Sequence, residues 1–242
     1  MHDEFWIELP PIRPTAPRRL IVVLHAAGAS NDALVPFAIA WQQKFPGATM
    51  ALLAGNAPAP RGGRQWFEHQ PVEGRIQRVA QASRQALERL RALQSALGFD
   101  ATETILVGWS QGATMAVELA RGLPAPAAIV VAYASQLARP LQLNEHPLPT
   151  MHLLHGEFDT VVPVALGERT WRGLIAAGVD ASFDVLGDAA HELGPGMVAL
   201  GTTRVMQTLF RGRQRPRTSR EADPRSAGAV AGSTDMMSRS IH

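Results

Sequence analysis

The chain has 242 residues, enough for one large domain or two small ones, and 46% of them are apolar, enough for a sizeable core. It contains no cysteine, which excludes disulfides, a thiolate nucleophile and cysteine-ligated metals, and fits a reducing compartment, read here as the cytoplasm. The net charge of +2 does not mark a nucleic-acid binder: residues 211–242 hold seven arginines and three acids, leaving 16 basic and 18 acidic residues in the rest.

Lys44 is the only lysine among the 23 basic residues, a bias read as the composition of a GC-rich bacterial genome. The opening MHDEFWIELPPIRP has acids at positions 3 and 4 and no basic region leading into an apolar run. It therefore does not read as a signal peptide. No apolar run reaches the roughly 18 residues of a membrane span.

Residues 20–25 form an apolar, β-branched run typical of a buried strand, broken at Gly28, Ser30 and Asn31. Residues 32–45 carry apolar positions at helical spacing, and 49–53 read as a second strand. Residues 55–74 are rich in proline and glycine and predict a long loop, which in a compact domain is usually functional or disordered. Ile76, Val79, Ser83, Leu87, Leu90, Leu93 and Leu97 define one face of a long amphipathic helix, stopped at Gly98. Strands are then expected at 103–107, 127–132, 149–154 and 181–186. Helices are expected after Ser110, over 163–177, and over 195–210.

Strands alternating with helices imply an α/β fold: a mostly parallel open sheet flanked by helices on both faces. The division expected is an N-terminal segment 1–17, a domain 18–210, and a disordered arginine-rich tail 211–242, which lacks apolar periodicity.

The segment GWSQG, residues 108–112, matches G-x-S-x-G between an apolar strand and an apolar helix. That context suits a nucleophilic serine held on a strained strand-to-helix turn. The competing reading is a glycine turn whose serine merely caps a helix. A nucleophilic Ser110 needs a histidine base and an acid behind it, which on such an elbow follow in the order serine, acid, histidine. Of the histidines after Ser110, His242 is in the tail and His146 lies among prolines. His152 and His155 sit three apart in or beside one strand and so face opposite ways. His191, in a loop between the last strand and the last helix, remains. Asp159, in the loop after strand 149–154, is the acid, with Glu157 as the alternative. The oxyanion donors are expected to be the N–H groups of Gln111 and of Ala27, the latter in the loop beyond His25.

These residues resemble α/β-hydrolases of the phospholipase/carboxylesterase type, which include acyl-protein thioesterases; within them the chain looks most like small bacterial esterases. The resemblance runs from about residue 18 to 210. It rests on VVLHAAGAS, RQWFE, ILVGWSQGATMAVELA, HGEFDTVVPVALGERTWRGLIAAGVDASFDVL and HELGP. It implies Ser110, Asp159 and His191 as catalytic triad, Ala27 and Gln111 as oxyanion donors, a small acyl ester or thioester as substrate, and no metal or organic cofactor. Ala26 stands where the family usually has glycine, and alanine would be strained there if the backbone were left-handed. Trp66 and Phe67 are read either as acyl-pocket walls, Trp66 before Phe67, or as packing that pins the long loop. A peptidase on the same fold, and a non-catalytic binding protein that kept the fold, are the rival functions. No nucleic-acid partner is expected.

Overall fold

The computed structural model describes residues 6–141 and 147–214. In chain order the elements are β1 (Trp6–Leu9), β2 (Arg19–Leu24), a 3-10 turn, α1 (Val35–Lys44), β3 (Ala48–Leu53), β4 (Ala57–Pro58) and β5 (Arg64–Gln65). There follow α2 (Arg75–Leu97), β6 (Thr104–Trp109), α3 (Gln111–Ala120), β7 (Ile129–Tyr133), β8 (Thr150–Gly156), α4 (Val164–Ala176), β9 (Ala181–Leu186) and α5 (Pro195–Gln214).

Seven strands form one sheet in the order β1-β3-β2-β6-β7-β8-β9, and β4 and β5 pair as a separate small hairpin. Every neighbouring pair in the main sheet is parallel except β1 with β3. Successive residues of β2 face opposite ways: Leu20, Val22 and Leu24 pack beneath α2 and α3, Ile21 and Val23 beneath α1 and α5. Both faces are covered, so the central strands carry no polar alternation. The first layer also takes Leu174 of α4; the second is built round Phe37, Trp41, Met197 and Val205.

One expectation needs correction. Residues 6–9 belong to the sheet as its antiparallel edge, so the main body begins well before residue 18. The loop 55–74 is pinned by the β4–β5 pair and by a bridge from Ala29 to Arg64. The long helix is α2, ended by Gly98 in left-handed conformation as predicted. Its buried stripe runs through Val79, Ala82, Ala86, Leu90 and Leu93, with Ile76 exposed, because alanines bring α2 close to its neighbours. Helix α5 continues to Gln214, and the remainder of the expected tail, 215–242, lies outside the described residues, as does His146. No helix among the described residues is long and apolar enough to cross a membrane.

Strand order reverses between β2 and β6, since β2 leads outward to β3 while β6 leads the other way. The crevice beyond the carboxyl ends of strands at such a switch point is where ligands bind in open α/β sheets. Ala27 follows β2 and Ser110 follows β6, so they flank it.

Candidate active site

Ser110 joins β6 to α3 with φ 56° and ψ −115°, a conformation L-residues rarely adopt. Its N–H donates to Tyr133 O at 2.8 Å, tying the turn to β7. The glycines two residues to each side are required by close approach. A Cβ on Gly108 would lie 2.3 Å from Gly112 O, and one on Gly112 would lie 2.2 Å from Leu24 O. All ten residues of α3 are buried, so the elbow rests on a rigid base.

Asp159 lies in the loop after β8 and is buried. Its Oδ1 accepts the N–H groups of Val161 and Val162 at 2.9 and 2.8 Å, and its Oδ2 lies 2.8 Å from His191 Nδ1. A carboxylate receiving three donors fixes the proton on Nδ1 of His191 and leaves a lone pair on Nε2. His155 Nε2 sits 3.6 Å from the same Oδ2 and donates to Val162 O at 2.7 Å. Burial lowers the His155 pKa, which keeps that ring neutral. The acid loop and the histidine loop are stitched together: Glu157 N–H donates to Leu186 O and Phe158 N–H to Ala189 O, at 3.0 and 2.9 Å. Glu157 itself is exposed, and among the described residues the carboxylate hydrogen-bonded to His191 is that of Asp159.

The His191 side chain is 16% exposed, and its ring lies against Trp109 with centroids 5.5 Å apart. Ser110, Gln111, His191, Ala27 and Phe67 line one cavity of about 380 Å³. Among the described residues no hydrogen bond joins Ser110 to His191; such contacts are often loose without substrate and tighten in its presence. Gln111 opens α3, so its N–H has no carbonyl one turn back to receive it. The Ala26 backbone is not left-handed; the turn takes its positive φ, 81°, at Gly28, so alanine is unstrained at position 26.

Trp66 does not line the cavity. Its side chain lies behind the wall, 3% exposed, and Phe67 forms the wall instead. Sequence reasoning did not single out Gln136, Thr114, Val161 and Val162, which also line it. Val161 and Val162 lie two and three residues beyond Asp159 and bond its Oδ1 through their N–H groups, an arrangement that no residue pattern in the sequence announces. Among the described residues no carboxylate lines the cavity, the Asp159 side chain lying behind His191. Among the described residues no group of three His, Cys, Asp or Glu side chains is placed to hold a metal ion.

Residues 12–202 match the phospholipase/carboxylesterase family. Esterase YpfH of Escherichia coli (strain K12) is 30% identical over 195 residues, covering 79% of this chain and 82% of that protein. The crystal structure of esterase PE8 superposes with a TM-score of 0.76 at 26% identity, covering 83% of this chain and 97% of that one. The Bacillus cereus carboxylesterase shares the fold, with a TM-score of 0.70 at 16% identity over 84% of this chain and 93% of its own. The chain therefore belongs to the phospholipase/carboxylesterase family of α/β-hydrolases.

Proposed function

We propose that Ser110, Asp159 and His191 are the triad with which this chain, an ester hydrolase of its family, cleaves carboxylic esters or acyl thioesters. The observation that carries the reading is the hydrogen bond from His191 to the buried Asp159 carboxylate, opening onto the same cavity as a serine held at φ 56°.

Nε2 of His191 takes the hydroxyl proton as Ser110 Oγ attacks the acyl carbon. The carbonyl π electrons move onto oxygen, and the N–H groups of Ala27 and Gln111 receive that oxyanion. The N-terminus of α3 adds favourable potential at the same place. Asp159 holds the imidazole in its productive tautomer and stabilises the imidazolium. Collapse breaks the bond to the alkoxide or thiolate leaving group, which takes the proton from His191. Water then attacks the acyl-serine by the same steps and releases the acid. None of these steps calls for a metal or an organic cofactor. The absence of cysteine supports work in a reducing compartment, in keeping with the cytoplasm.

Ser110→Ala is expected to lower kcat on a p-nitrophenyl ester by roughly 10⁴-fold or more while the melting temperature stays near that of the parent. Near-parental turnover by that variant would overturn the mechanism. A panel pairing each p-nitrophenyl ester with the acyl thioester of equal chain length assigns the preferred leaving group.

A further inference from the structure

The side chain of Gln111 is spent on something other than substrate. It is buried, with Oε1 accepting the Trp66 N–H at 2.7 Å and Nε2 donating to Phe67 O at 2.7 Å. The carboxamide thus ties down the bend at residues 66–67 just after β5. The indole Nε1–H of Trp66 continues the chain of bonds, donating to His25 O at 2.8 Å. His25 is fully buried, and its Nε2 accepts the Gly55 N–H at 2.8 Å. The proton must then be on Nδ1, which donates to Ala26 O at 2.7 Å. Ala26 C=O and Ala27 N–H belong to one planar peptide. Holding that carbonyl inward points the Ala27 N–H the opposite way, toward the crevice.

We propose that the Gln111 carboxamide and the Trp66 indole are positioning residues for the oxyanion hole, bracing the two donors against each other across the cavity floor. Gln111 therefore acts twice: its backbone N–H is one donor, and its side chain, through Trp66 and His25, fixes the plane of the other. The same pair holds Phe67 in the cavity wall. This inference rests on the assignment of Ala27 and Gln111 as oxyanion donors.

The test compares Gln111→Met, which keeps the backbone N–H and the side-chain length but removes both amide contacts, with Trp66→Phe, which removes only the indole donor. Each is measured for kcat, KM, melting temperature and inhibition by a trifluoromethyl ketone, whose tetrahedral adduct carries the oxyanion. Deleting a donor outright costs about 10²–10³-fold. A displaced donor costs less, so each variant is expected to lose about ten- to a hundredfold in kcat and in ketone affinity, with KM within about twofold. The double variant is expected to be little worse than the worse single one, because both cut one chain of bonds. A fall in melting temperature with kcat and ketone affinity unchanged would overturn the brace, and so would losses that multiply in the double variant. Should Gln111→Met fail to fold, Trp66→Phe alone decides on the same readouts. Labelling of the parent protein by a fluorophosphonate separates the two levels. An unlabelled Ser110 removes the triad assignment itself, whereas a labelled Ser110 with unchanged variant kinetics removes only the brace.

Discussion

Asp159→Asn isolates the electrostatic and tautomeric role of the acid from its structural one. The side chain has no freedom to choose its orientation. Two backbone N–H groups, of Val161 and Val162, converge on Oδ1 at 2.9 and 2.8 Å, so the amide oxygen must take that place. The amide nitrogen then stands where Oδ2 stood, 2.8 Å from His191 Nδ1, with a donor facing a donor. The conflict is relieved when Nδ1 gives up its proton and accepts, which moves the proton to Nε2. An imidazole with Nε2 protonated cannot take the proton of Ser110. The expected loss in kcat is about 10⁴-fold, or roughly 5 kcal/mol of transition-state stabilisation. The two contacts to Oδ1 survive, so the fold should hold. The assay is steady-state hydrolysis of p-nitrophenyl acetate beside a thermal melt, with Glu157→Gln as the companion variant. Retention of kcat within tenfold by Asp159→Asn, or an equal loss in Glu157→Gln, would refute the tautomer argument.

The remaining predictions concern stability. Gly112→Ala places a Cβ 2.2 Å from Leu24 O and 2.6 Å from His25 O, both backbone atoms. The cost should be about 3 kcal/mol, a fall of about 6–12 °C in melting temperature, and a melt within 2 °C of the parent (about 0.5–1 kcal/mol) would contradict the close-contact reading. His152 is buried against Ser182 Oγ and Thr208 Oγ1, and its pKa is lowered from 6.5 to about 4, by burial first and by Arg204 and Arg211 next. Above pH 6.5 it is neutral in both states and its contribution to stability is complete. As pH falls toward 4 the unfolded chain protonates first, and about 3 kcal/mol is lost. Urea midpoints measured against pH should therefore decline less steeply in His152→Gln, and identical slopes would count against the buried neutral ring.

Parts of the site are legible in the sequence because local sterics alone impose them. The spacing of Gly108 and Gly112 about Ser110 is demanded by backbone atoms 2.2–2.3 Å from any added Cβ. The order Ser110, Asp159, His191 is the one expected with a nucleophile elbow, and each of the three lies in the segment just after a strand, β6, β8 and β9. Other parts depend on distant partners. Trp66 and Phe67 are adjacent aromatics in a proline- and glycine-rich loop, with no periodicity to say which faces inward. The choice is made by His25 O, 41 residues from Trp66, and by the Gln111 amide, 45 residues away. Strand β1 is hidden for a similar reason: four residues before a pair of prolines become a strand only because β3 offers an unpaired edge. The interior stripe of α2 is misjudged where alanine does the packing, since a small side chain signals close helix approach only once the neighbour is known.

The stitching of the acid loop to the histidine loop has a kinetic consequence. With Glu157 bonded to Leu186 O and Phe158 to Ala189 O, the segments carrying Asp159 and His191 cannot drift apart without breaking backbone hydrogen bonds. Ser110 is held separately, its N–H bonded to Tyr133 O at the end of β7 and the helix after it, α3, wholly buried. The strands that carry the elbow, the acid loop and the histidine loop pair in succession from β6 to β9, so one continuous sheet sets the three at a common edge. On the proposed assignment, the acid–base pair is assembled before substrate arrives, and the one contact left for substrate to complete is that between Ser110 and His191.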